Sequence, residues 1–349
     1  MSTRAKLVLG CLIVAFGLVG CVQAEDQPTN VHDLRVLGMR FEPPEVMIPG
    51  CNAQVLLGGL QNFDGGSQVG IPPAVAFAFF AAASTPLEFT ALVADPAGNG
   101  RMLDYRLLGC ANRGDRECDN EGDYVEISSG QTTAGELKVS GVALGTKVLD
   151  DGTTDGGFPM ADGGQGSLLM FEVIQQDTFK GLGGIRIPVV LEISASDTGE
   201  KIYAQKLMVY TCQFFPEMKR NVTPVLPGIV FNKVTWREDE VIEIHGKTDW
   251  ELTVEDFDAL QEPYVVPSLS LQPVNLTEAW KVTWMTTSGT MSAYNTGGVD
   301  FAGETGRQKS SWRPNQRGTE PEDVTMYFVV RDGRGGNSWM TRHLKWWPE

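Results

Sequence analysis

Six cysteines, three histidines and forty-four carboxylates are the groups of this chain that could do chemistry, and their spacing narrows what that chemistry can be. His32, His245 and His343 are scattered and none stands beside a plausible nucleophile. The nearest approach to a G-x-S-x-G elbow, Gly65-Gly66-Ser67-Gln68-Val69, lacks the closing glycine, and there is no H-E-x-x-H, Walker loop or dinucleotide fingerprint. Acid–base work at neutral pH would therefore fall to paired carboxylates. Zinc lacks its CxxC spacing. Asp150, Asp151, Asp155 and Asp162, set among glycines, offer oxygen ligands that would suit calcium, but the EF-hand order with its distal glutamate is absent and a solvated Asp/Gly loop is the preferred reading. No cofactor is implied.

The cysteines divide into two groups. Cys11 and Cys21 lie at the N-terminus, where Arg4 and Lys6 precede the apolar run 7–19 and Leu18-Val19-Gly20 leads into Cys21. Thirteen apolar residues are too few to span about 30 Å of hydrocarbon. This layout resembles a bacterial lipoprotein signal peptide. The resemblance implies cleavage of residues 1–20, lipidation of Cys21, and a mature protein held to a membrane by its N-terminal lipid. Val22 follows the cysteine in place of the aspartate that favours inner-membrane retention, so the outer membrane is the implied destination. Cys51, Cys110, Cys118 and Cys212 remain, an even number that in an oxidising compartment reads as two disulfides with three possible connectivities.

Removing the leader leaves 329 residues with 26 basic against 44 acidic side chains, a net charge of −18. Such a surface repels phosphate backbones, which argues against nucleic acid as a partner, and it is not drawn to anionic lipid. Forty glycines and nineteen prolines, with few long runs of helix formers, point to many short strands joined by turns.

Residues 21–33 are polar and acidic and read as a flexible tether. Residues 34–49, interrupted by Pro43-Pro44, suit an edge strand A with a break. Residues 71–83 form the most apolar stretch of the mature chain and are expected as a buried strand or short core helix. Residues 87–94, a turn at 96–100, and residues 102–108 form a hairpin, and residues 187–193 and 202–210 form another. In the second half, 233–236 and 241–244 read as strand A, 268–274 as strand B and 280–284 as strand C. Residues 324–331 and 339–346, joined by Asp332-Gly333-Arg334-Gly335-Gly336, make the clearest hairpin of the chain. A short helix is expected at 254–261, with Thr253 as cap, Asp256 completing a capping box and Pro263 as terminator.

The motif Phe89-Thr90-Ala91-Leu92-Val93-Ala94-Asp95-Pro96-Ala97-Gly98 with Leu103-Asp104-Tyr105-Arg106, and the Asp-Gly turn of the last hairpin, resemble the B–C and F–G hairpins of PKD-like and other bacterial immunoglobulin-like β-sandwiches. The fold implied is all-β, two tandem immunoglobulin-like antiparallel sandwiches. The first occupies 34–218 with long insertions at 52–86 and 110–184, a linker follows at 219–227, and the second occupies 228–349. In such sandwiches the first and last strands can run side by side in parallel. That resemblance implies a bridge from Cys51 to Cys212, and Cys110 and Cys118 then close a short loop.

The expected function is that of a non-catalytic, lipid-anchored envelope protein that binds a protein or polysaccharide partner or acts as a spacer. The alternative is a carbohydrate-active enzyme with paired carboxylates in the insertions of the first domain.

Overall fold

The computed structural model describes residues 28–49, 78–79, 81–110, 118, 124–144, 173, 183–255, 257–298 and 308–349. The first sandwich contains β1 (Arg35–Glu42), β2 (Glu45–Ile48), β3 (Leu87–Ala94), β4 (Leu103–Cys110), β5 (Tyr124–Thr132), β6 (Gly135–Val142), β7 (Ile185–Ala195) and β8 (Glu200–Cys212). The second contains β9 (Ile229–Phe231), β10 (Val234–Trp236), β11 (Val241–His245), β12 (Trp250–Val254), β13 (Pro263–Pro267), β14 (Pro273–Thr277), β15 (Lys281–Thr286), β16 (Thr290–Met291), β17 (Asn295–Gly297), β18 (Lys309–Arg313), β19 (Glu322–Arg331) and β20 (Asn337–Trp347).

In the first sandwich the sheet β1-β3-β6 faces the sheet β2-β8-β7-β4-β5. Strand A is split between them. β1 runs antiparallel to β3, the chain turns at the cis Glu42–Pro43 peptide, and β2 joins the other sheet parallel to β8. The second sandwich repeats the plan with β10-β9-β12-β18-β16 against β11-β20-β19-β15-β17, where β11 runs parallel to β20. This split first strand, its parallel contact with the last strand and the antiparallel remainder are the immunoglobulin-like arrangement. Both cores obey the two-residue period of a strand. Ile185, Ile187, Val189, Leu191 and Ile193 of β7 all point into the first core, and Val324, Met326, Phe328 and Val330 of β19 into the second.

Four tryptophans, Trp236, Trp284, Trp312 and Trp346, are fully buried in the second core. Each indole N–H has an acceptor, so the large ring is buried without stranding a donor. Trp284 donates to Thr296 Oγ1 at 2.8 Å, and Trp236, Trp312 and Trp346 donate to the carbonyls of Glu240, Ser288 and Gly246 at 3.1, 2.8 and 2.7 Å.

Several expectations need correcting. The strands expected at 87–94 and 102–108 form, but not as a hairpin: β3 pairs with β1 and β6, and the turn after it carries the chain across to the facing sheet, where β4 pairs with β5 and β7. Residues 268–274 are not strand B. They form the turn and part of one strand of the separate ribbon β13–β14, and β12 takes the strand B place beside β9 and β18. The helix expected at 254–261 shrinks to a single 3-10 turn, Phe257–Leu260, because Leu252 and Val254 follow a strand alternation into the core. The tether expected at 21–33 is shorter, since Thr29, Asn30 and Val31 are buried against the second sandwich. Val31 N–H donates to the Thr286 carbonyl and Thr286 N–H to the Thr29 carbonyl, both at 2.9 Å. Within the segment 219–227 that joins the sandwiches, Asn221 and Leu226 are buried. In the apolar stretch 71–83, the described end is helical, and Phe79 and Ala83, one helical turn apart, enter the first core.

The two sandwiches are not beads on a string. The outer face of β1-β3 lies on the outer face of β15-β19-β20, where Val31, Leu37, Leu92 and Ala94 meet Met285, Tyr327, Val329 and Trp339 in one apolar cluster. A bulge at Leu37 turns its side chain to this face. Gly38 lies under the Trp339 ring, where a Cβ would stand 2.8 Å from Cε3. Above the same ring sits the Arg40 guanidinium, 4.7 Å from the centroid, and the indole N–H donates to Glu136 Oε1 at 2.8 Å. The result is a stack of four sheets.

Candidate functional site: the junction and the ribbon rooted in it

The polar edge of this interface is built by the turn 332–336 between β19 and β20. Asp332 is 1% exposed and organises the turn: its carboxylate accepts from the backbone N–H of Arg334, Gly335 and Gly336 at 2.7 to 3.1 Å and from Asn221 Nδ2 at 2.6 Å. Gly333 and Gly335 have φ of 81° and 115°, a backbone region that a side chain would strain. Folded this way, the turn projects Arg334 across the junction. Its guanidinium pairs with Glu45 of the first sandwich at 3.4 Å and with Glu278 at 3.3 Å, and donates to the Lys219 carbonyl at 3.2 Å. It also lies 4.3 Å from the ring centroid of Tyr264 at the root of the ribbon. Glu45 in turn accepts from Thr211 Oγ1 at 2.5 Å and from Asn221 N–H at 2.6 Å.

Lys206 of β8 donates to the Gly335 carbonyl from a half-buried position. Burial pushes its ammonium down to about 8, with the Asp332 charge opposing and the Arg331 charge adding to the fall. Burial likewise raises the Asp332 carboxyl, against the hydrogen bonds from Asn221 and the backbone, and lowers Arg331. For Lys206 the folded state binds the proton less tightly than the unfolded chain, whose lysine titrates near 10.5. Its charge therefore costs stability below about pH 8, and that cost disappears as pH rises to about 10.5. The difference is worth roughly 3 kcal/mol at pH 7, less about 1 kcal/mol for the hydrogen bond. Lys206→Met should melt higher than wild type at pH 7 and no higher at pH 10.5. A difference that is constant with pH would show that Lys206 is not titrating there.

On the outer face of the first sandwich, Arg106 lies between Glu126 at 2.9 Å and Glu192 at 3.7 Å, and Lys201 reaches Glu192 at 3.1 Å. Burial tends to raise Glu126, but hydrogen bonds from Ser129 and Arg106 outweigh it and leave the carboxyl lowered. A general acid needs the opposite shift. In the second sandwich a cleft of about 370 Å³ is lined by Asp249, Thr290, Met291, Ser292, Ser311 and Arg313, with Arg313 closing on Asp249 at 2.7 Å.

Of the residues singled out from sequence, Cys110 and Cys118 are joined in a disulfide with Cα atoms 5.9 Å apart. They pack with Leu108 and Val190 on the outer face of the first sandwich. Cys212 is disulfide-bonded and fully buried beside Ile48 of β2. Cys21, Cys51, Asp150, Asp151, Asp155 and Asp162 lie outside the described residues, as do most of the insertions 52–86 and 110–184. Among the described residues no cluster of three metal-ligating side chains occurs and no helix is long and apolar enough to cross a membrane. Sequence reasoning missed the junction because Glu45, Asn221, Lys206 and Arg334 are far apart in the chain. Only the Asp-Gly turn marked its position.

No family model and no curated protein matches the chain. Among solved structures it is similar to dimeric latent PorU from Porphyromonas gingivalis, at 9% identity and a TM-score of 0.21, over 90% of this chain and 24% of that one. The chain thus spans about a quarter of the PorU chain. It is also similar to the tandem V-type regions of VCBP3, a v-region-containing chitin binding protein, at 12% identity and a TM-score of 0.22, over 75% of this chain and 93% of that one. At such TM-scores neither likeness bears on function, and the fold rests on the strand order.

Proposed function

We propose that this chain is a lipid-anchored protein of the outer membrane, non-catalytic, whose joined sandwiches hold a binding surface for an envelope protein or polysaccharide at a set distance from the bilayer. The observation that carries this reading is the four-sheet stack. Its apolar seam and its arginine-centred edge join the two sandwiches side by side, which suits a spacer or presenting module. Anchorage is supported by Leu18-Val19-Gly20-Cys21. Because Thr29–Val31 are seated on the second sandwich, the tether runs only from Cys21 to Pro28 and reaches about 25 Å when fully extended. The body is held close to the membrane.

Cys21→Ser should move the protein from the membrane fraction to the soluble one and abolish labelling by a fatty-acid analogue. Three acyl chains make wild-type release slow, whereas a single chain holds only marginally. Label that persists in the variant would exclude Cys21 as the anchor.

A further inference from the structure

The ribbon β13–β14 carries an observation that the stack does not absorb. Residues 263–277 contain no Asp, Glu, Lys or Arg, in a chain of formal net charge −16, and yet every residue of β14 is exposed. The two strands pair only with each other among the described residues, and a lone two-stranded ribbon is marginal in water. Its pairing register shows which backbone groups are free. Glu278 N–H donates to the Glu262 carbonyl and Ser268 N–H to the Gln272 carbonyl, so the pairs 264/276 and 266/274 between them also bond inward. Residues 263, 265 and 267 of β13 and 273, 275 and 277 of β14 therefore turn their backbone groups outward. Three of those six are prolines, Pro263, Pro267 and Pro273. On β13 this leaves a single outward N–H, that of Val265, and proline placed so is a device against edge pairing. β14 keeps the N–H groups of Asn275 and Thr277, and the carbonyls of Pro273, Asn275 and Thr277, along a five-residue edge.

We propose that the β14 edge is a docking site for an extended, basic segment of a partner protein, which adds as a third strand. The ribbon supplies side-chain selectivity as well. Directly paired residues share a face, so Tyr264, Leu276, Val266 and Val274 form one apolar face, and Leu269 at the tip is 78% exposed. A partner strand with alternate apolar residues extends that face. Glu262 stands exposed at the root of the ribbon, whereas Glu278 is buried and paired with Arg334, and the anionic body as a whole steers a cationic segment towards the edge and a second copy away. Hydrocarbon is excluded as the occupant by the same outward N–H and C=O groups, which lipid cannot satisfy and a peptide can.

This inference rests on the chain being a binding module, and its test is independent of the lipid anchor. The probe is a fluorescein-labelled peptide of alternating lysine and valine, seven residues long, titrated into the full chain without its leader. Binding should be measurable by anisotropy, should weaken as salt rises, and should be absent for the glutamate–valine counterpart. Asn275→Pro removes an outward donor and leaves the inward ladder of the ribbon intact, so it should weaken binding at least tenfold. Val265→Pro, the same change on the blunted edge, should alter it less than twofold. Amide exchange at Asn275 and Thr277, but not at Val265, should slow in the presence of the peptide. No binding, equal loss in the two proline variants, or equal binding of the acidic peptide would overturn the proposal. So would Asn275-dependent dimers in sedimentation, or ribbon-dependent capture by neutral phospholipid vesicles. Loss of the probe with lipidation at Cys21 intact would reject the docking edge alone.

Discussion

Val329→Asp should part the two sandwiches while leaving each core folded, and Val330→Asp, one residue further on, should instead unfold the second sandwich. The two valines are both fully buried but on opposite faces of β19. Val329 belongs to the seam with Leu37, Leu92 and Trp339, and Val330 to the core with Trp284 and Phe328. A carboxylate buried without a partner costs several kcal/mol. At Val330 it cannot escape without dismantling a sheet. At Val329 the seam can open and give the charge to water, at the cost of the apolar area in the seam and of the Arg334 contacts at its edge. The expected readout for Val329→Asp is a larger radius of gyration in solution scattering, faster amide exchange along β1 and β15, and two thermal transitions. A single transition at the wild-type temperature with unchanged scattering would mean that the seam contributes little to holding the sandwiches together.

This seam is partly legible in the sequence. An antiparallel strand with one face in water alternates apolar and polar residues, whereas one covered on both faces is apolar throughout. Ala91-Leu92-Val93-Ala94 and Met326-Tyr327-Phe328-Val329-Val330 are unbroken apolar runs in strands that a pair of independent sandwiches would leave half solvated. The hairpins β7–β8 and β19–β20 agree with the sequence reading because alternation and turn residues concur there. Strands β3 and β4 match as strands but cross between the two sheets and do not pair, since a turn after an alternating strand reads the same whether the chain folds back or crosses over. The failures have the opposite cause. β12 has only five residues, and the capping pattern from Thr253 to Asp256 drew its end into a helix that the core positions of Leu252 and Val254 forbid. Residues 268–274 look like a strand, but a ribbon strand and a sandwich strand differ only in what covers them, and local sequence does not encode that. Glu45 and Arg334, 289 residues apart, could not have been paired from sequence, because a salt bridge leaves no periodicity.

Removing the disulfide at Cys212 should cost the first sandwich far more than removing the one between Cys110 and Cys118. The short bridge closes a loop of a few residues on the outer face, and chain entropy assigns it about 2.5 kcal/mol. Cys212 ends the last strand of the sandwich at the point where that strand runs parallel to the first: Ile48 and Cys212 are register partners, and Gln213 N–H donates to the Ile48 carbonyl at 2.9 Å. Cys51 is three residues beyond Ile48 in the sequence. A bridge between Cys51 and Cys212 would tie the ends of the whole sandwich and close a loop of about 160 residues, worth up to about 5 kcal/mol on the same entropy argument. Cys212→Ser should therefore lower the melting temperature by more than the double replacement of Cys110 and Cys118, with faster amide exchange in the core strands of the first sandwich and little change in those of the second, which has no cysteine. Non-reducing peptide mapping tests the connectivity directly, and a peptide linking Cys51 to any cysteine other than Cys212 would overturn it. The same bridge would also lock β2 against β8. Because Glu45 of β2 pairs with Arg334, its loss should reach the junction as well, and amide exchange in the turn 332–336 should quicken in Cys212→Ser but not in the double replacement.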